Sequence, residues 1–263
     1  MPVWSGAASA QAALASKPDE MVVIPAGRLL RGGGGRIQPR AIQMDAFQLD
    51  IHEVSVANYR ACVEAGKCKP AAFEDPTSSF NLKSGKRESA SYYEKLVGPN
   101  QPIVGVSWED ARTYCAWRGK RLPTEAEWER AFRGDDARTY PWGDEPPSCE
   151  RANFTQGTGS EQQPCNTQTL DVTALPGSAS PHGVLQLAGN VSEWVQDWFD
   201  SQSYRKGSTR NPKGPKSGKQ KIVRGGSWVS EAQELSASSR RPLEPGARFY
   251  FVGFRCARNA KPS

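Results

Sequence analysis

Residues 102–134 read PIVGVSWEDARTYCAWRGKRLPTEAEWERAFRG, and no other stretch constrains its own local structure as tightly. PIVGV is apolar and reads as a strand. Ser107 stands where a helix begins, a position at which its hydroxyl accepts from a first-turn N–H, and Asp110 adds negative charge to that turn. Gly119 ends the helix. Pro123-Thr124 opens a second one, with Thr124 and Glu127 at capping-box spacing, and Gly134 ends it. Two helices joined by a few residues form a helical corner.

The rest of the chain is built of equally short pieces. MVVIPAG (21–27) is an apolar strand closed by Pro-Ala-Gly. FQLDIHEVS (47–55) alternates and then caps. Ser55 is an N-cap for VANYRACVEA, with Val56, Tyr59 and Val63 on one face and Gly66 at its end. Residues 69–101 are polar, aperiodic and read as a long surface excursion. GVLQLAGNVSEWVQDWF (183–199), IVRGGSW (222–228) and FVGFRCAR (251–258) carry the remaining apolar runs, the last as one buried strand. Gly and Pro together make 45 of 263 residues, hydrophobic residues only 37%, and Trp reaches eight. That balance argues for a loop-rich α+β domain with little regular secondary structure, whose indoles fill space between irregular segments. No apolar run is long enough to span a membrane. Residues 1–19 read as a disordered leader or signal remnant, 20–259 as one domain and 260–263 as a tail.

The net charge is +6, concentrated in residues 201–221, which hold seven Lys or Arg and no acid. Such a run can bind phosphate or nucleic acid, but with a single aromatic and no evident stacking platform it reads more simply as a solvated surface loop. No P-loop or Rossmann glycine pattern follows a strand, so neither nucleotide nor haem is expected.

Six cysteines form no CxxC knuckle. Cys62 and Cys68 lie close in sequence, as do Cys149 and Cys165; Cys115 and Cys256 would have to meet over a long loop. The even count favours three disulfides and an oxidising compartment, against six reduced thiols in the cytosol.

MVVIPAG, EVSVANYRACV, the 102–134 segment, YPWGDE, GNVSEW, NPKGP, RGGSW and GFRCAR occur here in this order. Together they resemble the formylglycine-generating-enzyme, or sulfatase-modifying-factor, domain over about residues 20–259. The resemblance implies a C-type-lectin-like fold and a bridge between Cys115 and Cys256. It also implies where the family's copper site would be: two cysteines shortly after RGGSW. Here those positions are Ser230 and Leu235, and a hydroxyl and an isobutyl group do not replace two thiolates as ligands for soft Cu(I). Ser192 stands where the family has an indole. Copper oxidase chemistry is therefore not expected. A histidine–iron site, as in related sulfoxide synthases, is not expected either, since only His52 and His182 exist and both read as solvent-facing or hydrogen-bonded.

Calcium sites are the cofactor the resemblance does suggest, as hard oxygens on irregular loops suit that ion. One set would be Asn153, Phe154, Asn166 and Gln168, the other Gln186, Gly189, Val191 and Glu193. For Glu193 the competing reading is a buried structural carboxylate without metal. Ser192, Trp228 and Ser230 are expected to line a groove. Glu244 is a weak candidate acid or base there, more simply read as pairing with Arg240, Arg241 or Arg248.

The resemblance thus implies a non-catalytic, periplasmic or secreted module that binds a protein or peptide. Relatives without the cysteine pair act beside Ser/Thr-kinase signalling in type VI secretion control, which suggests an envelope lipoprotein or a kinase ectodomain as partner. The alternative is an enzyme of changed chemistry, as in periplasmic maturation of the siderophore pyoverdine. Calcium-dependent sugar binding lacks its usual Glu-Pro-Asn run.

Overall fold

The structure, a computed structural model, describes residues 20–32, 39–74 and 94–260. The leader expected over 1–19, the middle of the 69–101 excursion and tail residues 261–263 lie outside the described residues.

The chain opens with β1 (Met21–Ile24), β2 (Gly27–Arg31), β3 (Arg40–Met44) and β4 (Phe47–Asp50). β2 and β3 form an antiparallel ribbon. β1 pairs antiparallel with β4, Met21 opposite Asp50. The other edge of β4 is taken by the last strand, β11 (Ala257–Asn259). Both ends of the described chain are therefore fastened to one strand, which is how a loop-rich chain closes as one domain.

Helix α1 (Val56–Glu64) begins at Ser55, whose side chain accepts from Asn58 N–H. Helix α2 (Trp108–Trp117) and helix α3 (Glu125–Arg133) each start with a complete capping box, Ser107 with Asp110 and Thr124 with Glu127. Gly119 and Gly134 follow them at φ +67 and +71, a region glycine enters at no steric cost. PIVGV differs from the strand reading. It is extended, but it meets its neighbours through single bonds, Ile103 N–H to the Val54 carbonyl and Gly105 N–H to the Phe249 carbonyl, and never forms a ladder. FVGFRCAR differs too. It is divided into β10 (Val252–Gly253), in a second sheet, and β11.

The second sheet is the partition of the molecule. Between α3 and it come two short strands, β5 (Thr155–Gln156) and β6 (Gln163–Pro164). β7 (Ser192–Trp198) pairs with β10 on one side and with β8 (Lys221–Arg224) on the other, and β9 (Arg241–Leu243) completes the order β10-β7-β8-β9. Side chains alternate faces along a strand, and here both faces are covered. Trp194 and Val223 join Tyr59, Tyr114, Phe254 and Trp228 in one apolar cluster. Val195 and Ile222 join Phe47, Leu49, Trp128 and Leu235 in another. A short helix, α4 (Ser203–Lys206), opens the basic run that leads from β7 back to β8.

All six cysteines are bridged, as Cys62–Cys68, Cys115–Cys256 and Cys149–Cys165. The long-range bridge joins α2 to the residue just before β11, across 141 positions of sequence. Among the described residues no helix is long and apolar enough to cross a membrane.

Candidate functional site

RGGSW makes a sharp turn at the end of β8. Gly225 and Gly226 have φ +92 and +69. A Cβ on Gly225 would sit 2.6 Å from the Leu187 carbonyl oxygen, so both conformation and space demand glycine. The turn delivers Ser227, Trp228 and Ser230 beside the GNVSEW segment, with Trp228 N–H bonded to the Asn190 carbonyl.

The two serine hydroxyls of this turn, on Ser227 and Ser230, lie 3.3 Å apart and are buried. Leu235 belongs to the apolar core. It is fully buried in the cluster around Trp128, with its methyl group against Gly226. Every cysteine of the chain is committed to a bridge elsewhere.

The residues expected to line a groove are mostly covered: Ser192 is 3% exposed, Trp228 4% and Ser230 3%. Part of the cover is the β5–β6 hairpin, which the sequence did not point to. Thr155 donates its N–H to the Ser230 carbonyl at 2.9 Å and its hydroxyl to the Trp228 carbonyl at 3.3 Å. Gln162 donates to the Glu231 carboxylate at 2.6 Å. Cys149–Cys165 closes the base of this hairpin. Outward of it stand Val229, exposed, and Tyr250, whose ring centre is 5.9 Å from that of Trp228.

Glu244 does not pair as expected. Arg240 turns inward to Glu125 at 2.6 Å, Arg248 binds Asp110 at 2.7 Å, and Arg241 lies over the Phe251 ring. Glu244 is exposed, with no ion pair among the described residues. Two of the three basic partners, Arg240 and Arg248, are used by buried carboxylates, whose need for a counter-charge is greater.

The histidines differ in burial, His52 being buried and His182 partly so. His52 is buried, and burial together with the Arg255 charge pulls it down to about 4. Burial brings His182 to about 4 as well. Both are neutral near pH 7, and no group of three acidic, His or Cys side chains placed to hold a metal ion occurs among the described residues.

The two calcium candidates differ. In the first, Asn153 donates its amide to the Gln168 carbonyl at 2.9 Å and accepts from Asn166 at 3.3 Å, while Phe154 is buried. That set contains no carboxylate, and the Asn153 amide is already bonded to the Gln168 backbone carbonyl and to Asn166. In the second, Glu193 is fully buried and accepts from Arg255 and from Trp128 Nε1, the arrangement of a structural carboxylate. Its Oε1 takes only one of these bonds, and a carboxylate oxygen has capacity for another. Nearby, Gln186 sits at φ +54 with its Oε1 buried and without a hydrogen-bond partner. The unpartnered Gln186 oxygen, in the segment leading into the Gly189–Val191 turn, suits a hard cation.

A further buried acid borders that turn. Glu53 accepts from Asn190 Nδ2 with both oxygens, at 3.2 and 2.9 Å, and burial pushes it up to about 8 against the pull of Arg255. No short-range pattern in FQLDIHEVS marks this role.

The sulfatase-modifying factor enzyme 1-like domain model matches residues 7–260. The formylglycine-generating enzyme of Bos taurus is 32% identical over an alignment covering 94% of this chain and 77% of its own. The serine/threonine-protein kinase pkn1 of Chlamydia caviae is 34% identical over 92% of this chain, but the match spans 38% of that kinase. Among solved structures, PvdO from Pseudomonas aeruginosa superposes with a TM-score of 0.71 at 22% identity, covering 94% of this chain and all of that one, a likeness of fold.

Proposed function

We infer that this chain, which belongs to the sulfatase-modifying factor enzyme 1-like domain family, is a non-catalytic member that binds a protein or peptide outside the cytoplasm. The observation that carries this reading is the pair Ser230 and Leu235. One offers a buried hydroxyl and the other a core isobutyl group where the copper chemistry needs two thiolates. Three disulfides support an oxidising compartment.

The turn after β8 is held by the β5–β6 hairpin beside the exposed Val229 and the part-buried Tyr250. Rigid elements suit recognition, since little order has to be gained on binding. The likeness to a serine/threonine kinase supports a setting beside kinase signalling. We place the module upstream of a Ser/Thr kinase in type VI secretion control, with an envelope lipoprotein or a kinase ectodomain as partner. A structural calcium ion at Gln186 and Glu193 belongs to the same proposal.

The test has two arms. Purified chain, loaded with Cu(I), is incubated with a cysteine-containing sulfatase peptide, and mass spectrometry looks for the aldehyde; none is expected, and turnover would overturn the reading. The same chain, immobilised, is then exposed to envelope extract. A stoichiometric protein partner is expected, whereas retention of small metabolites alone would favour a changed chemistry of the siderophore-maturation kind.

A further inference from the structure

The seven cations of residues 201–221 are used unequally by the fold. Lys221 is withdrawn between two stacked indoles, its Nζ 3.7 Å from the ring centre of Trp108 and 3.8 Å from that of Trp198. Arg210 pairs with Asp45 at 2.5 Å. Lys206 and Lys213 have no ion pair among the described residues. Both are exposed, and both line one cavity of about 250 Å³.

The wall of that cavity is positive. Arg31 is its buried cationic member, 3% exposed, and Asp200 is the one acid in the lining. Arg31 is paired with Glu125 behind the wall at 2.6 Å, so Lys206 and Lys213 against Asp200 leave one positive charge in excess at the mouth. Behind Arg31 the imbalance continues. Arg31, Arg133, Arg224 and Arg240 gather around Glu125 and Glu129. With Asp197 also ionised, this interior still holds one more cation than anions. A low-dielectric wall with excess positive charge focuses its field into the adjoining mouth and concentrates anions there. The mouth itself is polar, with Ser203, Ser208 and the backbone of Gly207 and Gly214.

The chemistry narrows the ligand. Tyr204, the one aromatic of the run, is buried, with the Arg31 guanidinium 4.1 Å and that of Arg240 4.5 Å from its ring centre. It offers no face for a base, so a nucleic-acid strand finds no stacking platform. Two free ammonium groups over a buried guanidinium instead suit a compact dianion, whose oxygens take charge-assisted hydrogen bonds.

We propose that this cavity binds a phosphate-class oxyanion, gripped by Lys206 and Lys213 above the Arg31 guanidinium. The site is separate from the Ser230 turn, and it stands or falls independently of the protein-binding reading.

Calorimetric titration of the full chain at low ionic strength, with inorganic phosphate and separately with O-phosphoserine, tests it. Saturable one-to-one binding is expected. The Lys206→Glu/Lys213→Glu variant, altered only at exposed side chains and checked by its melting curve, should bind at least about tenfold more weakly. Binding of both ligands supports a site for the phosphate group itself; binding of O-phosphoserine alone supports one for a monoester. No saturable binding of either, full binding by the double variant, or equal displacement by chloride would each overturn the proposal.

Discussion

The guanidinium of Arg255 holds both carboxylate oxygens of Glu193, at 2.7 and 2.8 Å, and neither side chain is more than 1% exposed. The same arginine donates to the carbonyls of Asp50, Ile51 and Leu185, so it joins the end of β4, β7 and the loop before the GNVSEW turn. Removing one partner of such a pair leaves a buried charge without compensation. Arg255→Met is expected to lower stability by about 3–5 kcal/mol, and Glu193→Leu/Arg255→Met to recover part of that loss. Urea unfolding of the three proteins decides it; a single-variant loss near zero would show that the pair does not hold the fold.

The neighbouring residue, Cys256, closes a loop of 141 positions with Cys115. In the chain-entropy account, opening so long a loop costs about 5 kcal/mol. Cys115→Ala/Cys256→Ala should therefore unfold at markedly lower denaturant than Cys62→Ala/Cys68→Ala, whose loop spans only 6 positions. Equal midpoints would refute this ordering. Non-reducing peptide mapping should recover the three bridges as stated.

Asp197 is buried, and one oxygen accepts from Glu125 N–H at 2.9 Å while the other has no partner and faces Gly214. Burial, helped by the Glu125 charge, pushes it up from 3.8 to about 7. The folded state thus keeps a proton that the unfolded chain releases near pH 4. This contribution is fully present below that pH and is lost as pH rises to about 7. Asp197→Asn removes it, so the stability gained by the variant over the wild type should grow between pH 4 and 7 and then level off. Thermal melts across that range are the measurement, and a constant difference would sink the assignment.

Gln186 Oε1 and Glu193 Oε1 predict a response to calcium. A ligand that binds only the folded state raises stability by mass action, by about 2.7 kcal/mol at a hundredfold excess over Kd. The melting temperature should rise with millimolar calcium, fall with chelator, and lose the response in Gln186→Leu. An unchanged melt in all three conditions would remove calcium from the proposal.

Legibility in the sequence followed the range of the forces involved. The starts of α1, α2 and α3 are written in Ser55, Ser107 with Asp110, and Thr124 with Glu127, because a cap is a hydrogen bond within three residues of its partner. The cysteine count and the short spacings of Cys62 with Cys68 and Cys149 with Cys165 were likewise readable, since they lie in the chain itself. Tertiary structure decided what those elements face. α3 reads EAEWERAFR, a polar helix by composition, yet every residue of it is buried. Glu125 lies there because Arg31, Arg224 and Arg240, 94 to 115 positions away, converge on it and hold it at about 2 although burial alone would raise it. Glu53 meets Asn190 across 137 positions, and two of the three arginines expected to pair with Glu244, Arg240 and Arg248, bind buried acids instead. Local spacing specifies a turn of helix; the pairing of buried charges depends on which distant segments the chain brings into the same low-dielectric volume, and no short pattern encodes that.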